Sequence, residues 1–193
     1  MKRILFSIAL ISILAVSATA QEGTMWIGGT INISSNTTND MTSSSTTIMP
    51  EFGYNLDMNW AIGGRLGFNT SKDEQAVGTN KTTTTSIVPF ARYTFGNLGN
   101  FKIFGQGELP INFYGGEFAD GTSKDNSNSF GLRVRPGLSY SFNDNWGFNM
   151  LMPSVFAFTS NSNDSSAFHF GINDGYTVQS YLLDTAIGFV YKF

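Results

Sequence analysis

The final stretch of the chain, YLLDTAIGFVYKF (Tyr181 to Phe193), sorts into two faces when read with a period of two. Tyr181, Leu183, Thr185, Ile187, Phe189, Tyr191 and Phe193 point one way, and Leu182, Asp184, Ala186, Gly188, Val190 and Lys192 the other. One face is apolar and aromatic, and the other is small, mixed and charged. In a water-soluble sheet the apolar face must look into a core. In a strand that crosses a bilayer it looks outward. Deciding which side is the inside decides the fold and the compartment.

The other end bears on compartment. MKRILFSIALISILAVSATA has two cations, an apolar run from Ile4 to Val16, and small residues at Ala18 and Ala20 around Thr19. That order is the grammar of a secretory signal with cleavage after Ala20. The run is short for a membrane-anchoring helix, which needs about 20 apolar residues. The domain division expected is therefore a signal over residues 1–20 and a single domain over 21–193. Without Lys2 and Arg3 the remainder carries nine basic and fourteen acidic side chains, a net charge of −5, which argues against nucleic acid as a partner. There is no cysteine, so disulfides, thiolate metal sites and cysteine catalysis are absent. Twenty-one glycines and eighteen phenylalanines, with 13% charged residues and mean hydropathy near zero, describe a β-rich chain. After the signal no apolar run approaches spanning length, so any crossing of a membrane must be made by strands.

Working backward from the final strand, three short polar breaks interrupt the alternating segments: LDMNW (56–60), FGNLGNF (95–101) and FNDNW (142–146). Their Asn, Asp and Gly content predicts tight hairpin turns. Four longer Ser/Thr/Asn-rich stretches, near 34–47, 70–83, 115–128 and 160–177, fall between them as long loops. Seven connections join eight strands, expected near 23–34, 47–56, 60–70, 83–95, 101–115, 128–142, 145–160 and 178–193. Up-and-down antiparallel pairing puts every short turn and both mature termini at one end and every long loop at the other. Closing the eighth strand on the first removes both edges, which makes an antiparallel β-barrel.

Short turns at one end and long loops at the other is the asymmetry of outer-membrane barrels. Trp60, Phe95, Phe101, Phe142, Trp146, Tyr191 and Phe193 all fall beside a short turn or the chain end. They are expected to form one aromatic ring at a membrane interface, where an apolar ring with a polar tip is best placed. On these features the chain resembles the small OmpA/OmpX-type outer-membrane β-barrels. That resemblance implies an eight-stranded transmembrane barrel in the bacterial outer membrane, in contact with its lipid. It also implies that Phe189, Tyr191 and Phe193 act as the signal read by the outer-membrane assembly machinery.

With apolar residues facing lipid, the charged residues of the strands fall on the inner face: Glu51, Arg65, Arg92, Glu108, Arg133, Arg135 and Asp184. Inside one tube the guanidinium groups can form charge-assisted bonds with the carboxylates. At the bilayer midplane an Arg or Lys would instead cost about 2 to 4 kcal/mol. Eight strands leave an interior just wide enough for side chains to fill, so a filled polar lumen with a structural charge cluster is expected, with no wide channel. Pro50, Pro89, Pro110, Pro136 and Pro153 all fall within strands, seven to ten residues from the nearest short turn. Because proline cannot donate to a ladder, a belt of bulges or loosened pairing is expected there.

Two other classes of function make different demands. A soluble carrier of the lipocalin kind would turn Leu183, Ile187 and Phe189 into a ligand cavity. A lipid-modifying enzyme would need His169, the single histidine, in reach of a serine such as Ser160, Ser162, Ser165 or Ser166 and of Asp164 or Asp174. No nucleophile-elbow pattern is present. No metal-ligand spacing or phosphate-binding glycine loop is present either. The expectation is a non-enzymatic barrel without cofactor, structural or adhesive, whose acidic Ser/Thr/Asn-rich loops could carry a surface ligand.

Overall fold

The computed structural model describes residues 23–38, 41–75, 78–171 and 185–193. The proposed signal, Leu183 and Asp184 lie outside the described residues. Eleven strand segments are present among those described: β1 (Met25–Thr38), β2 (Met41–Asn55), β3 (Trp60–Gln75), β4 (Gly78–Leu98), β5 (Phe101–Glu108), β6 (Ile111–Glu117), β7 (Ser127–Ser141), β8 (Trp146–Leu151), β9 (Phe156–Asn161), β10 (Ser166–Phe170) and β11 (Ala186–Lys192). They form eight staves, because β5 and β6 follow one another along the fifth, β8 and β9 along the seventh, and β10 and β11, which pair with β9 and β8, both belong to the eighth. All pairings are antiparallel. β11 pairs with β8 on one side and β1 on the other, Trp26 lying opposite both Lys192 and Gly53, and this closes the barrel.

The alternation of side chains is regular where the strands are apolar. Along β4, Ser86, Val88, Phe90 and Arg92 are buried while Ile87, Pro89 and Ala91 are exposed. In β11, Gly188 and Val190 are buried, whereas Ile187 and Phe189 are 54% and 64% exposed. The apolar face of the terminal stretch therefore looks outward. This overturns the carrier reading for Ile187 and Phe189, which lie on the outer wall and line no cavity.

Two of the short turns share one chemistry. Asp57 Oδ1 accepts hydrogen bonds from the Asn59 and Trp60 amides, both at 2.7 Å. Asn143 Oδ1 accepts from Asn145 and Trp146 at 3.0 and 2.7 Å. These are Asx turns, in which the side chain caps the amides that the reversal leaves unpaired. The third turn reverses at Gly99, whose φ of 63° is left-handed and suits glycine.

The strand ends differ from those expected. Residues expected as loops over 34–47 and 70–83 are largely strand, since β1 and β2 pair out to Thr38 and Met41, and β3 and β4 to Gln75 and Gly78. The expected 160–177 loop contains β10, paired with β9 from Ser166↔Ser160 to Phe170↔Phe156. Hydroxyl-rich sequence reads as loop, yet threonine is β-branched and fits a pleated surface. A spanning strand needs about 9–11 residues, and β4 has 21. Its upper half therefore projects beyond any hydrocarbon layer as a hairpin with β3.

Proline affects the ladders in two ways. β2 and β3 are registered at Ile48↔Phe68 and again at Glu51↔Arg65, an unchanged offset with a gap around Pro50. β4 is likewise registered with β5 at Phe90↔Glu108 and with β6 at Ile87↔Ile111, a gap that holds Pro89 and Pro110. At Pro153 the offset does change. Gly137 faces Leu151 and Val134 faces Phe156, so four residues of the seventh stave oppose Arg135 and Pro136. Only this last site is a bulge; at Pro50, Pro89 and Pro110 pairing loosens without a shift of register.

Candidate functional site

The middle of the lumen is organised by pairs of glycine and aromatic side chain. Trp26 lies opposite Gly53, Phe90 opposite Gly63 and Phe104 opposite Gly137. A Cβ on Gly53 would stand 2.0 Å from the Trp26 ring, and one on Gly63 or Gly137 would stand 2.4 Å from its aromatic partner. Each ring thus lies flat on the opposite strand, which is how three large side chains fit in an eight-stranded tube. Together they cage Arg92, whose guanidinium carbon lies 4.2 Å from the Phe104 ring centroid, 5.2 Å from Trp26 and 5.4 Å from Phe90.

Around this cage the polar groups are joined in a continuous network. Glu51 Oε1 accepts from Trp26 Nε1 (2.9 Å), Arg92 (3.2 Å) and Asn149 Nδ2 (3.4 Å). Arg92 Nε donates to Gln106 Oε1 (2.9 Å), and Gln106 Nε2 donates to Glu108 Oε1 (2.8 Å). Glu108 is also ion-paired with Arg65 and Arg133, each to a different carboxylate oxygen. Gln106 and Glu108 have no solvent exposure, and Glu51, Arg65 and Arg92 are buried. Arg65 and Glu51 are register partners, yet Arg65 reaches past β4 to Glu108 while Arg92 takes Glu51. The Arg65–Glu108 and Arg92–Glu51 pairs therefore tie alternate staves together, while Arg133–Glu108 joins register partners on neighbouring staves.

Six of the seven residues read from the sequence as the charge cluster thus face the lumen, and Asp184 lies outside the described residues. Arg135 is engaged differently from the others. Its Nε and Nη2 donate to the carbonyls of Met152 and Leu151 at 2.7 and 2.9 Å. Those carbonyls lie at the start of the bulge, where the ladder ends at Leu151, so Arg135 serves as its cap. Trp26, Gln106 and Asn149 were missed by a reading that followed charge alone. Their signal was present: each falls on the inward parity of its strand. Toward the loop end the network gives way to neutral groups, with Ser86 donating to Asn112 Oδ1 (2.7 Å), Asn112 Nδ2 donating to Ser129 Oγ (3.0 Å), and Tyr114 bonded to the same serine (3.1 Å).

The lumen is not filled throughout. At the turn end a cavity of 830 Å³ opens, bounded by Asn55, Asp57, Thr94, Lys102, Ser139 and Lys192, with Trp26, Arg92 and Phe104 at its inner end. The wholly filled interior expected from strand number is therefore corrected. Small side chains such as Ala61, Thr94 and Ser139 occupy this level, and eight staves then enclose free space.

Outside, the aromatics noted in the sequence sit at the turn end in linked groups. Trp60 packs on Tyr93 (4.9 Å between centroids) and Tyr93 on Phe95 (5.1 Å). Phe101 packs on Tyr140 (4.6 Å) and Tyr140 on Phe142 (5.4 Å), while Trp146 packs on Tyr191 (5.0 Å) and Tyr191 on Phe193 (6.4 Å). His169 lies in β10, far in sequence from this ring, and its Nε2–H donates to the carbonyl of Gly171 at 2.7 Å. Among the described residues no three His, Cys, Asp or Glu side chains come together as metal ligands would.

No curated protein matches the chain by sequence. Among solved structures it is similar to Neisserial surface protein A (NspA), at 15% identity over 88% of this chain and 92% of that one, with a TM-score of 0.46. Residues 6–151 match the family model described as the outer membrane protein beta-barrel domain. A closed eight-stave barrel, apolar outside and ion-paired within, agrees with that match over most of its length, and the chain belongs to the outer membrane protein β-barrel domain family, a transmembrane barrel of the bacterial outer membrane.

Proposed function

We propose that this barrel has a structural or surface-binding role, without catalysis, and that it conducts no wide aqueous stream. The observation that carries the reading is the network centred on Arg92 and Glu108, which spans the lumen with side chains that have almost no exposure. Such a layer would have to be dismantled for ions to pass, and every broken bond there would leave a buried polar group unsatisfied. The charge cluster is thus a structural strut. Planar-bilayer recording tests this: the purified protein should give no steady conductance. Sustained open levels that disappear in Arg92→Ala would refute it.

In the same reading the aromatic groups mark the inner membrane interface. The last outer row that is mainly apolar, in which Ile31, Ile48, Phe68 and Phe113 stand in register with Thr85 of β4, marks the outer one. Trp60 and Phe68, at the two levels of β3, bracket nine residues, matching the 9–11 of a tilted spanning strand. Above that row the outer face turns, except at Ile33 of β1, to Thr46, Thr70 and Thr83, then to Ser44, Lys72 and Lys81. These polar hairpins, with the loop at residues 118–126, are the surface offered to a ligand. Export through cleavage after Ala20 and delivery by the assembly machinery through Phe189, Tyr191 and Phe193 complete the proposal. Mass spectrometry of the mature N-terminus and membrane yield of Phe193→Ala test those two steps.

A further inference from the structure

Apart from Arg135, which bonds the carbonyls of Met152 and Leu151, the cations of the lumen fall into two sets. Arg65, Arg92 and Arg133 are each ion-paired to Glu51 or Glu108. Lys102 and Lys192, at the level of the turn-end cavity, have no carboxylate within 4.0 Å among the described residues. Lys192 Nζ donates to Ser141 Oγ at 2.5 Å, and the charges that bear on it are Lys102, which opposes it, and Asp144, which favours it. Asp57 is the carboxylate among the cavity's lining residues, and its Oδ1 is engaged by the Asn59 and Trp60 amides. Two ammonium groups that repel one another therefore line a recess that opens toward the turn side and is closed above by the Arg92 cage. Its walls also present apolar surface from Trp26, Phe104 and Val190, and carboxamides from Asn55 and Asn149. A volume of 830 Å³ is that of a small-molecule site.

We propose that this recess binds a small soluble organic anion from the turn-side compartment. A phosphate or carboxylate group is held by Lys102 and Lys192, and an apolar portion lies against Trp26 and Phe104. Charge-assisted bonds from two ammonium groups favour an oxyanion, and the barrel wall separates the recess from bilayer lipid. The inference is independent of the surface-binding reading, because the site lies at the opposite end of the barrel.

The test is calorimetric titration of phenyl phosphate into the full chain folded in an uncharged detergent, with benzyl alcohol as the uncharged comparison. Phenyl phosphate is expected to bind and benzyl alcohol not. Lys102→Gln should weaken binding several-fold, and Lys102→Gln with Lys192→Gln tenfold or more. Heat-dependent gel mobility verifies that each variant is folded, and Lys102→Gln, whose side chain makes no hydrogen bond or ion pair among the described residues, keeps the test decisive if the double variant fails to fold. Equal affinity in wild type and folded Lys102→Gln, equal binding of benzyl alcohol, or no binding of phenyl phosphate overturns the proposal. So does competition by phosphatidylglycerol added to the micelles, which would identify a lipid headgroup as the ligand.

Discussion

Glu108→Gln removes one charge and almost no volume, and the structure makes its effect large. The carboxylate has no solvent exposure and answers two guanidinium groups, that of Arg65, with 3% of its side chain exposed, and that of Arg133, with 31% exposed. Removing one member of a buried ion pair costs about 3 to 5 kcal/mol, because the partner's charge is left uncompensated. Arg65 falls in that range. Arg133 is nearer water and adds less, since an exposed pair is worth at most about 1 kcal/mol. A loss of about 4 kcal/mol is therefore expected in the free energy of unfolding, measured by urea titration of vesicle-inserted protein followed by tryptophan fluorescence. Adding Arg65→Met should recover about 2 kcal/mol or more, because the orphaned buried charge is then gone and contacting residues couple by up to about 3 kcal/mol. A Glu108→Gln variant within about 1 kcal/mol of wild type, or an Arg65→Met addition that lowers stability further, would refute the account of Glu108 as the joint of the lumen.

Gly53→Val should destabilise by at least the 1 to 3 kcal/mol typical of overpacking, since the new Cβ would stand 2.0 Å from the Trp26 ring; a red-shifted tryptophan emission would accompany it, and an unchanged spectrum would count against the flat packing of Trp26. Ile187→Arg places a cation on the outer wall of β11 and should cost about 2 to 4 kcal/mol near the midplane, read from the same urea titration, whereas a soluble or inward-facing site would show a smaller loss. The Asp57 carboxyl is held below its ordinary value of 3.8 by the amides of Trp60 and then Asn59. With a depressed folded-state pKa, its contribution to the turn is full above pH 3.8 and is lost as pH falls through the lower folded value. The Asn59 and Trp60 amide resonances should therefore stay fixed from pH 7 to pH 5 and shift together below pH 3.8, and movement above pH 5 would contradict the Asx turn.

How far the sequence can be read depends on which physical constraint sets each feature. A period of two is imposed by the pleat, and it holds wherever one side of a strand meets a different solvent from the other. This is why Ile187, Phe189 and Arg92 declare their faces from position alone. Strand ends carry no such contrast once both faces meet water. Along Ser43–Thr47 and Thr82–Thr85 the same hydroxyl-rich composition serves loop and strand equally, and only pairing with Asn69–Asp73 makes the residues extended. β10 is a similar case, because SAFHF is too short to reveal itself without Phe156–Ser160 beside it.

The lumen shows a second limit of this kind. Charge identifies Arg135 and Glu108 as inward residues, but the partner each takes is set by geometry that no period encodes. Arg135 stands in line with the acids of the network, yet it bonds two carbonyls because four residues of the seventh stave are laid against two of the sixth. That insertion follows from Pro153, which cannot donate to β7, and from Pro136 beside it on the partner strand. The two prolines leave carbonyls exposed in the lumen, and a long side chain with several donors is what satisfies them. Lysine at position 135 would keep the charge and lose the fork that spans Leu151 and Met152. The bulge and its arginine are therefore one device, and each explains why the other is tolerated inside a closed sheet.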